Sequence, residues 1–525
     1  MDPQTLPCSW VEPAGPVHPS LIRLSALDNL TTPVYPSPTE FFPLKPDTDP
    51  RQLYEDCKRG LARYIYQHPH LCGRIFKDET GRNSIEIRPT PYAGVNFEFH
   101  DHRDMKGMPS YEEFRRFGWP FGDGDQDGLS KLRQKVFPSA QAGDPILITR
   151  FNVIKGGIVL TMSIAHVMCD LVQFKDLMGS WARNTCAVAN ARTKNQPEPP
   201  LPQQVAANLM DRSPLMPNVQ IEHDLEKLAA RAANLPHWTM VDPRDPRKMG
   251  KTIDDIFTKA RLTDNDLANF SEDKLRGLST SVWTFPQSSI RKLKLAADRV
   301  SPRGTKLSSI DCLTAFAWQR FFAAKWAPGV PGAEPIPKTT RIVYAGSVRT
   351  RLTPPLPLDY MPACVDLFPV TANTDSFTST APEALAKVAT MIRSSNNNWS
   401  EEVFCEMIEI AQMHPMNPGL VPNGPLDALV TDHTRLSSVV LEDWGPGLGR
   451  CEAYREPYLG RELPRGEITL LPGCDNGKVD VMFAGEAVVL ERLRNDKDMN
   501  AVASCQFIMD DFIKRAAKNR RSAKL

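Results

Sequence analysis

The segment from Pro145 to Trp181 constrains this chain more than any other. Two apolar runs, Ile146 to Ile154 and Ile158 to Ala165, flank Lys155-Gly156-Gly157, the pattern of a β-hairpin closed by a glycine turn. The apolar residues then change period, and Phe174, Leu177, Met178 and Trp181 recur at helical spacing. His166 and Asp170, in the run His166-Val167-Met168-Cys169-Asp170, therefore fall at the junction between a strand end and a helix.

The same reading places other elements. Leu53, Cys57, Leu61 and Tyr64 share a face and predict a helix over 51–67, ended by Pro69. From Val188 to Pro217 six prolines among polar residues interrupt any regular element, so an interdomain crossover is expected there. The second half restarts with a strand over Thr280 to Phe285, a basic helix from Ser289 to Arg299 and a helix from Ser309 to Lys325. Glu467 to Leu471 and Lys478 to Phe483 flank Asp475-Asn476-Gly477, a strong hairpin signal. With 525 residues and 41% hydrophobic composition, the chain can bury a large core and is expected to form two domains, 1–210 and 211–525.

Sixty-three basic against sixty-two acidic residues leave a charge of +1, which gives no whole-protein field for nucleic acid or anionic membrane. The opening Met1-Asp2-Pro3-Gln4 lacks a basic segment before an apolar run, and no stretch approaches the roughly 20 apolar residues of a membrane helix. Eleven cysteines without a CxxC fit reduced thiols and neither a disulfide framework nor a metal site. An intracellular protein is expected, in which the sequons at Asn29, Asn269 and Asn398 go unused. Ala523-Lys524-Leu525 is of the SKL type and predicts a peroxisomal address; without it the expectation is cytoplasmic.

A histidine at a strand end can take a proton near neutral pH, as acyl transfer from a thioester to a hydroxyl or amine requires. An aspartate four residues on can hold the turn or orient the imidazole, and spacing alone does not choose. Asp123-Gly124-Asp125 begins like a calcium loop, but Gln134 stands where a bidentate glutamate is needed. Gly445-Pro446-Gly447-Leu448-Gly449 does not open an apolar helix and fails as a dinucleotide fingerprint. Cys169, inside the motif, offers a thiol that could accept an acyl group, although a buried, inert cysteine is the commoner case.

Five segments in order resemble the BAHD acyltransferases, in their fungal branch. They are Leu24-Ser25-Ala26-Leu27-Asp28, His68-Pro69-His70-Leu71-Cys72-Gly73-Arg74, the HxxxD itself, Arg349-Thr350-Arg351-Leu352 with Tyr360 behind it, and Asp443-Trp444-Gly445. The resemblance implies an α/β fold of two chloramphenicol-acetyltransferase-like domains joined by a crossover, with the active site in the channel between them. It implies an acyl-CoA co-substrate, with acetyl-CoA the default donor, no permanently bound cofactor or metal, and a small secondary metabolite as acceptor; a monomer is expected. His166 would be the general base, and Asp170 would pair with Arg349 or Arg351. Asp443, Trp444 and Gly445 would shape the channel. Arg291, Lys294, Ser308 and Ser309 match positions near the CoA phosphates, where lysines and helix N-termini suit an anion.

The sequence departs from the family pattern at Leu171, where a glycine is usual, at Tyr360-Met361-Pro362-Ala363, and at His433, where a tryptophan is usual. Thr431 or His433 would then be placed to contact the oxyanion or the acceptor. The competing readings are a condensation-type acyltransferase using a carrier-protein thioester, for which Ala165 stands where a second histidine is normal, and a noncatalytic metabolite-binding relative.

Overall fold

The computed structural model describes residues 9–509 except 32–34, 79–80, 121–131, 133–142, 243, 246, 249–250, 252–254, 378, 380, 417–418, 437–439, 457–464 and 474–476. The C-terminal Ala523-Lys524-Leu525, the calcium-loop imitation and most of the Asp475-Asn476-Gly477 turn lie outside the described residues.

The hairpin forms as Leu147–Ile154 and Gly157–Ile164, antiparallel, with Ile154 opposite Gly157 and Gly156 at φ 81° in the turn. Every residue of Gly157–Ile164 is buried, because the strand lies inside a six-stranded sheet. The order across that sheet is Trp10–Val11, Val95–Asp101, Leu147–Ile154, Gly157–Ile164, Thr39–Pro43 and Ala453–Arg455. A second, seven-stranded sheet runs Val365–Asn373, Thr339–Ser347, Ala428–Asp432, Gly466–Leu471, Val479–Glu486, Leu278–Phe285 and Ser504–Ile508. Gly466–Leu471 and Val479–Glu486 pair antiparallel, as the hairpin signal predicts.

Helices cover both sheets. Pro50–Gln67 starts where Asp49 accepts the amide of Arg51 with Pro50 in the first turn, and stops at His68 before Pro69. It packs on Leu171–Thr193 at Gly60, where an added Cβ would meet the backbone of Thr185 at 2.6 Å; only glycine allows the two helices so close. Leu171–Thr193 runs past Val188, where the crossover was expected to begin, because alanines at 187, 189 and 191 sustain the helix and the first proline comes only at Pro197. The proline run then lies along the first helix, with Arg63 donating to the carbonyls of Pro199 and Pro200. In the second half the two expected helices form as Gln287–Val300 and Ser309–Lys325, the latter with the expected bounds.

One core holds Leu61, Tyr64, Phe97, Phe151, Leu160 and Trp181, the other Trp283, Phe316, Trp318, Phe321, Ile468 and Phe483. The halves interlock. Ala453–Arg455 returns to pair with Thr39–Pro43, and Leu436, Trp444 and Tyr454 belong to the first core, so a segment numbered within 211–525 is built into the sheet of 1–210. Among the described residues no helix is long and apolar enough to cross a membrane.

Candidate active site

The Gly157–Ile164 strand ends as the amide of Ala165 bonds the carbonyl of Ile146, and a turn closed by Met168 N to Ala165 O leads into the Leu171–Thr193 helix. Asp170 caps that helix: one carboxylate oxygen accepts the amide of Val172 at 3.0 Å. Its other oxygen leaves the first domain. It accepts Nη1 of Arg349 at 2.6 Å and the amide of Cys364 at 2.9 Å. Arg349 is fully withdrawn from solvent and spends its remaining donors on the carbonyls of Tyr360 at 3.0 Å and Pro362 at 2.7 Å and on the hydroxyl of Ser347. The choice left open by spacing is thereby settled for the geometry: Asp170 both holds the turn and ties it to the second half.

Arg351 goes elsewhere. Its guanidinium reaches the backbone carbonyl and side-chain oxygen of Asn396 and lies over the Phe368 and Trp399 rings. A second buried pair runs parallel to the first. Asp28 takes Nε of Arg212 at 3.0 Å, the amide of Ala363 at 3.0 Å, and the amide and hydroxyl of Ser25. The LSALD, HxxxD, RTRL and YMPA segments thus meet in one charge-bearing node beneath His166.

His166 keeps partial exposure, while its Nδ1 is buried with no hydrogen-bond partner among the described residues. Nε2 is then the nitrogen left to meet a substrate. Burial lowers the imidazole's pKa from its ordinary value; its own backbone and Asp170 oppose this, and His433 adds to it. The ring is therefore neutral at pH 7, the state a base needs. Cys169, beside it, has its thiol pushed up by burial and by the Asp170 charge, which disfavours a thiolate.

Thr431 and His433 lie at the end of the Ala428–Asp432 strand, with Thr431 opposite Thr469. The amide of His433 extends the ladder to the carbonyl of Leu470 at 2.8 Å. His433 is buried, and its Nδ1 sits 2.6 Å from Oε1 of Glu456, which also accepts the Tyr454 hydroxyl at 2.6 Å. Burial alone would lower the pKa of His433, but the charge and hydrogen bond of Glu456, with Glu467 and Asp432 behind, raise it. Glu456 moves the opposite way: burial favours its neutral form, yet His433, Tyr454 and His166 hold it charged. Glu456 falls in none of the motifs read from the sequence.

Trp444 packs edge-on against Phe42 and Trp181, ring centres 5.9 and 5.2 Å away. Asp443 accepts the amide of Gly445 at 2.8 Å, and Gly445, at φ 100°, lies so near the Leu171–Thr193 helix that a Cβ would meet Cys186 Cα at 2.9 Å. These three residues clamp a loop to the helix that carries Asp170.

The four residues matched to CoA phosphates are only partly brought together. Ser308 caps the Ser309–Lys325 helix in a reciprocal box with Asp311, which Arg393 also binds. Lys294 lies by that first turn, close enough to act on Cys312, and is paired with Asp298. Arg291 is exposed one helical turn away, about 4.5 Å further along the Gln287–Val300 helix.

The Transferase family model matches residues 6–444. Acyltransferase easC of Emericella nidulans is 24% identical over 507 residues, 94% of this chain and 96% of that one. The crystal structure of F. graminearum TRI101, complexed with coenzyme A and T-2 mycotoxin, superposes with a TM-score of 0.66 at 17% identity, covering 93% of this chain and 100% of the other. Vinorine synthase superposes at 0.57 and 15% identity, covering 94% and 97%. The two-sheet architecture, the HxxxD junction between the sheets and these likenesses agree: the chain belongs to the Transferase family, as a BAHD-type acyltransferase of the fungal branch.

Proposed function

We propose that this chain moves an acyl group, acetyl by default, from acyl-CoA to a hydroxyl or amine of a small secondary metabolite, with His166 as general base. The observation that carries this reading is the placement of His166: a neutral imidazole at the seam of two sheets, its turn fixed from below by the buried Asp170–Arg349 pair. TRI101, with which the fold is shared, was crystallised with CoA and a small-molecule toxin, which supports the same two substrate classes here.

His166 takes the acceptor's proton on Nε2 as the acceptor attacks the thioester carbonyl, and returns it to the departing CoA thiolate. Asp170, Arg349, Asp443, Trp444 and Gly445 keep the architecture and touch no reacting atom. Thr431 and His433 are the candidates for contact with the oxyanion or acceptor. Lys294, Ser308 and Ser309, with Arg291 a turn away, are the candidates for the CoA phosphates. The protein acts as a monomer, and the Ala523-Lys524-Leu525 terminus directs it to peroxisomes. Incubating the purified chain with a fungal metabolite extract and labelled acetyl-CoA tests the reading. Labelled ester or amide should appear with the native chain and not with His166→Ala; label transfer that survives this substitution removes His166 as the base.

A further inference from the structure

Two histidines, His166 and His433, lie near enough at the seam for the charge of one to act on the other, and their surroundings differ. His166 bonds no carboxylate: Asp170 is committed to Arg349, and Glu456 to His433. His433 sits directly on Glu456. Resting on the acyl-transfer reading above, we propose that His433 is a second catalytic histidine, which donates its Nε2 proton in a hydrogen bond to the thioester carbonyl oxygen as the acceptor attacks, with Glu456 as its positioning residue.

The geometry supplies each requirement. The His433 backbone is pinned at the strand end through Leu470, so the side chain starts from a rigid element. Its Nδ1 is fixed by Glu456, and Glu456 is fixed by the Tyr454 hydroxyl, which leaves the ring no freedom to turn. The side chain is 10% exposed and, among the described residues, Nε2 has no hydrogen-bond partner, so that nitrogen is the one left to meet a substrate. The Thr434–Leu436 turn that follows His433 packs against the helix that Asp170 caps, and the charges of His433 and Glu456 both act on His166, so the pair stands near the base. Around His433 stand Glu456 from the segment after Ala453–Arg455, Glu467 from Gly466–Leu471, Asp432 from its own strand and His166 from the HxxxD turn. Three of these four are carboxylates, so a cation is favoured there. Where two titratable groups are pushed apart by their environments, the one held neutral is the base and the one held charged is the donor.

The step balances. The acceptor oxygen or nitrogen forms a bond to the carbonyl carbon and gives its proton to His166 Nε2, while the carbonyl π electrons move to oxygen. His433 bonds that oxygen without giving up its proton. Collapse reforms the carbonyl, breaks the C–S bond, and returns the proton from His166 to the CoA sulfur; both histidines end as they began.

The test uses the full chain, acetyl-CoA and a mixture of terpenoid and polyketide alcohols, with released thiol as the readout. His433→Gln should lower kcat by about 10²- to 10³-fold, the usual worth of one oxyanion donor, with the KM for acetyl-CoA little changed. The native profile should be bell-shaped, needing His166 neutral and His433 charged, and Glu456→Gln should move the alkaline limb to lower pH. Nitrogen NMR of labelled histidine gives an answer without turnover: His433 should be an imidazolium at pH 7 in the native chain and neutral in Glu456→Gln. A neutral His433 in the native chain, an unmoved alkaline limb, or a folded His433→Gln protein with near-native kcat overturns the proposal. Activity surviving His166→Ala overturns instead the reading on which it rests.

Discussion

Arg349 and Asp170 meet 2.6 Å apart with both side chains shut away from water, one from each half of the chain. Removing one charge leaves the other buried and uncompensated. Asp170→Asn should therefore cost about 3 to 5 kcal/mol, seen as a lowered unfolding midpoint in urea, together with lost activity. Arg351→Ala, which breaks only contacts to Asn396 and two aromatic faces, should cost distinctly less.

His166→Ala should fail differently. The ring fills no buried ion pair, so the protein should keep its melting temperature while turnover falls by about 10² to 10⁴. Cys169→Ala should stay active, because direct transfer needs no acyl-enzyme and the buried thiol is held protonated. A folded but inactive Cys169→Ala protein would shift the mechanism to a covalent intermediate.

Donor binding is testable at the Ser309–Lys325 helix start. Changing Arg291 and Lys294 to alanine should raise the KM for acyl-CoA far more than that for the acceptor. Lys294 should dominate, since it lies beside the first turn of that helix and Arg291 stands one turn away. An unchanged donor KM would place the CoA phosphates elsewhere.

Acid should loosen the first domain. His68 and His70 are buried, and both ring nitrogens of His68 meet no partner. Burial, then the charge of Arg183, pushes His68 down to about 4; burial, then His68 and Arg212, lowers His70 too. The unfolded chain takes up these protons near pH 6.5 and the folded chain does not, so the contribution is whole above pH 6.5 and drains as pH falls toward 4. The slope is roughly 1.4 kcal/mol per pH unit for each histidine. Urea unfolding at pH 7.5 and pH 5 measures it, and His68→Leu should flatten it.

Targeting is checked by deleting Ala523 to Leu525, which should turn a punctate tagged protein diffuse. A full-length protein already diffuse in the cytosol would make the terminal match accidental.

Much of this was legible where a pattern is local. The hairpin, the helix over Ser309–Lys325 and the position of His166 follow from period and turn chemistry within twenty or so residues. What long-range contact decides was not. Arg349 and Arg351 are two residues apart on one short turn and so point to opposite sides; only the fold says which meets Asp170. Asp28 was visible as part of a motif, but its partner Arg212 sits inside the proline-interrupted stretch, where no pattern marks it. Glu456 became part of the site only because the chain returns to the first sheet beside His433.

That returning strand also sets a timetable. Thr39–Pro43 is made early in synthesis, yet its outer hydrogen-bonding edge is completed only by Ala453–Arg455, after more than four hundred further residues have left the ribosome. For that interval the first sheet carries an open edge, the surface on which strands of neighbouring chains add. A fragment ending near residue 210 would keep that edge for good and should self-associate, and a separately supplied C-terminal half would rescue its solubility before it rescued any chemistry.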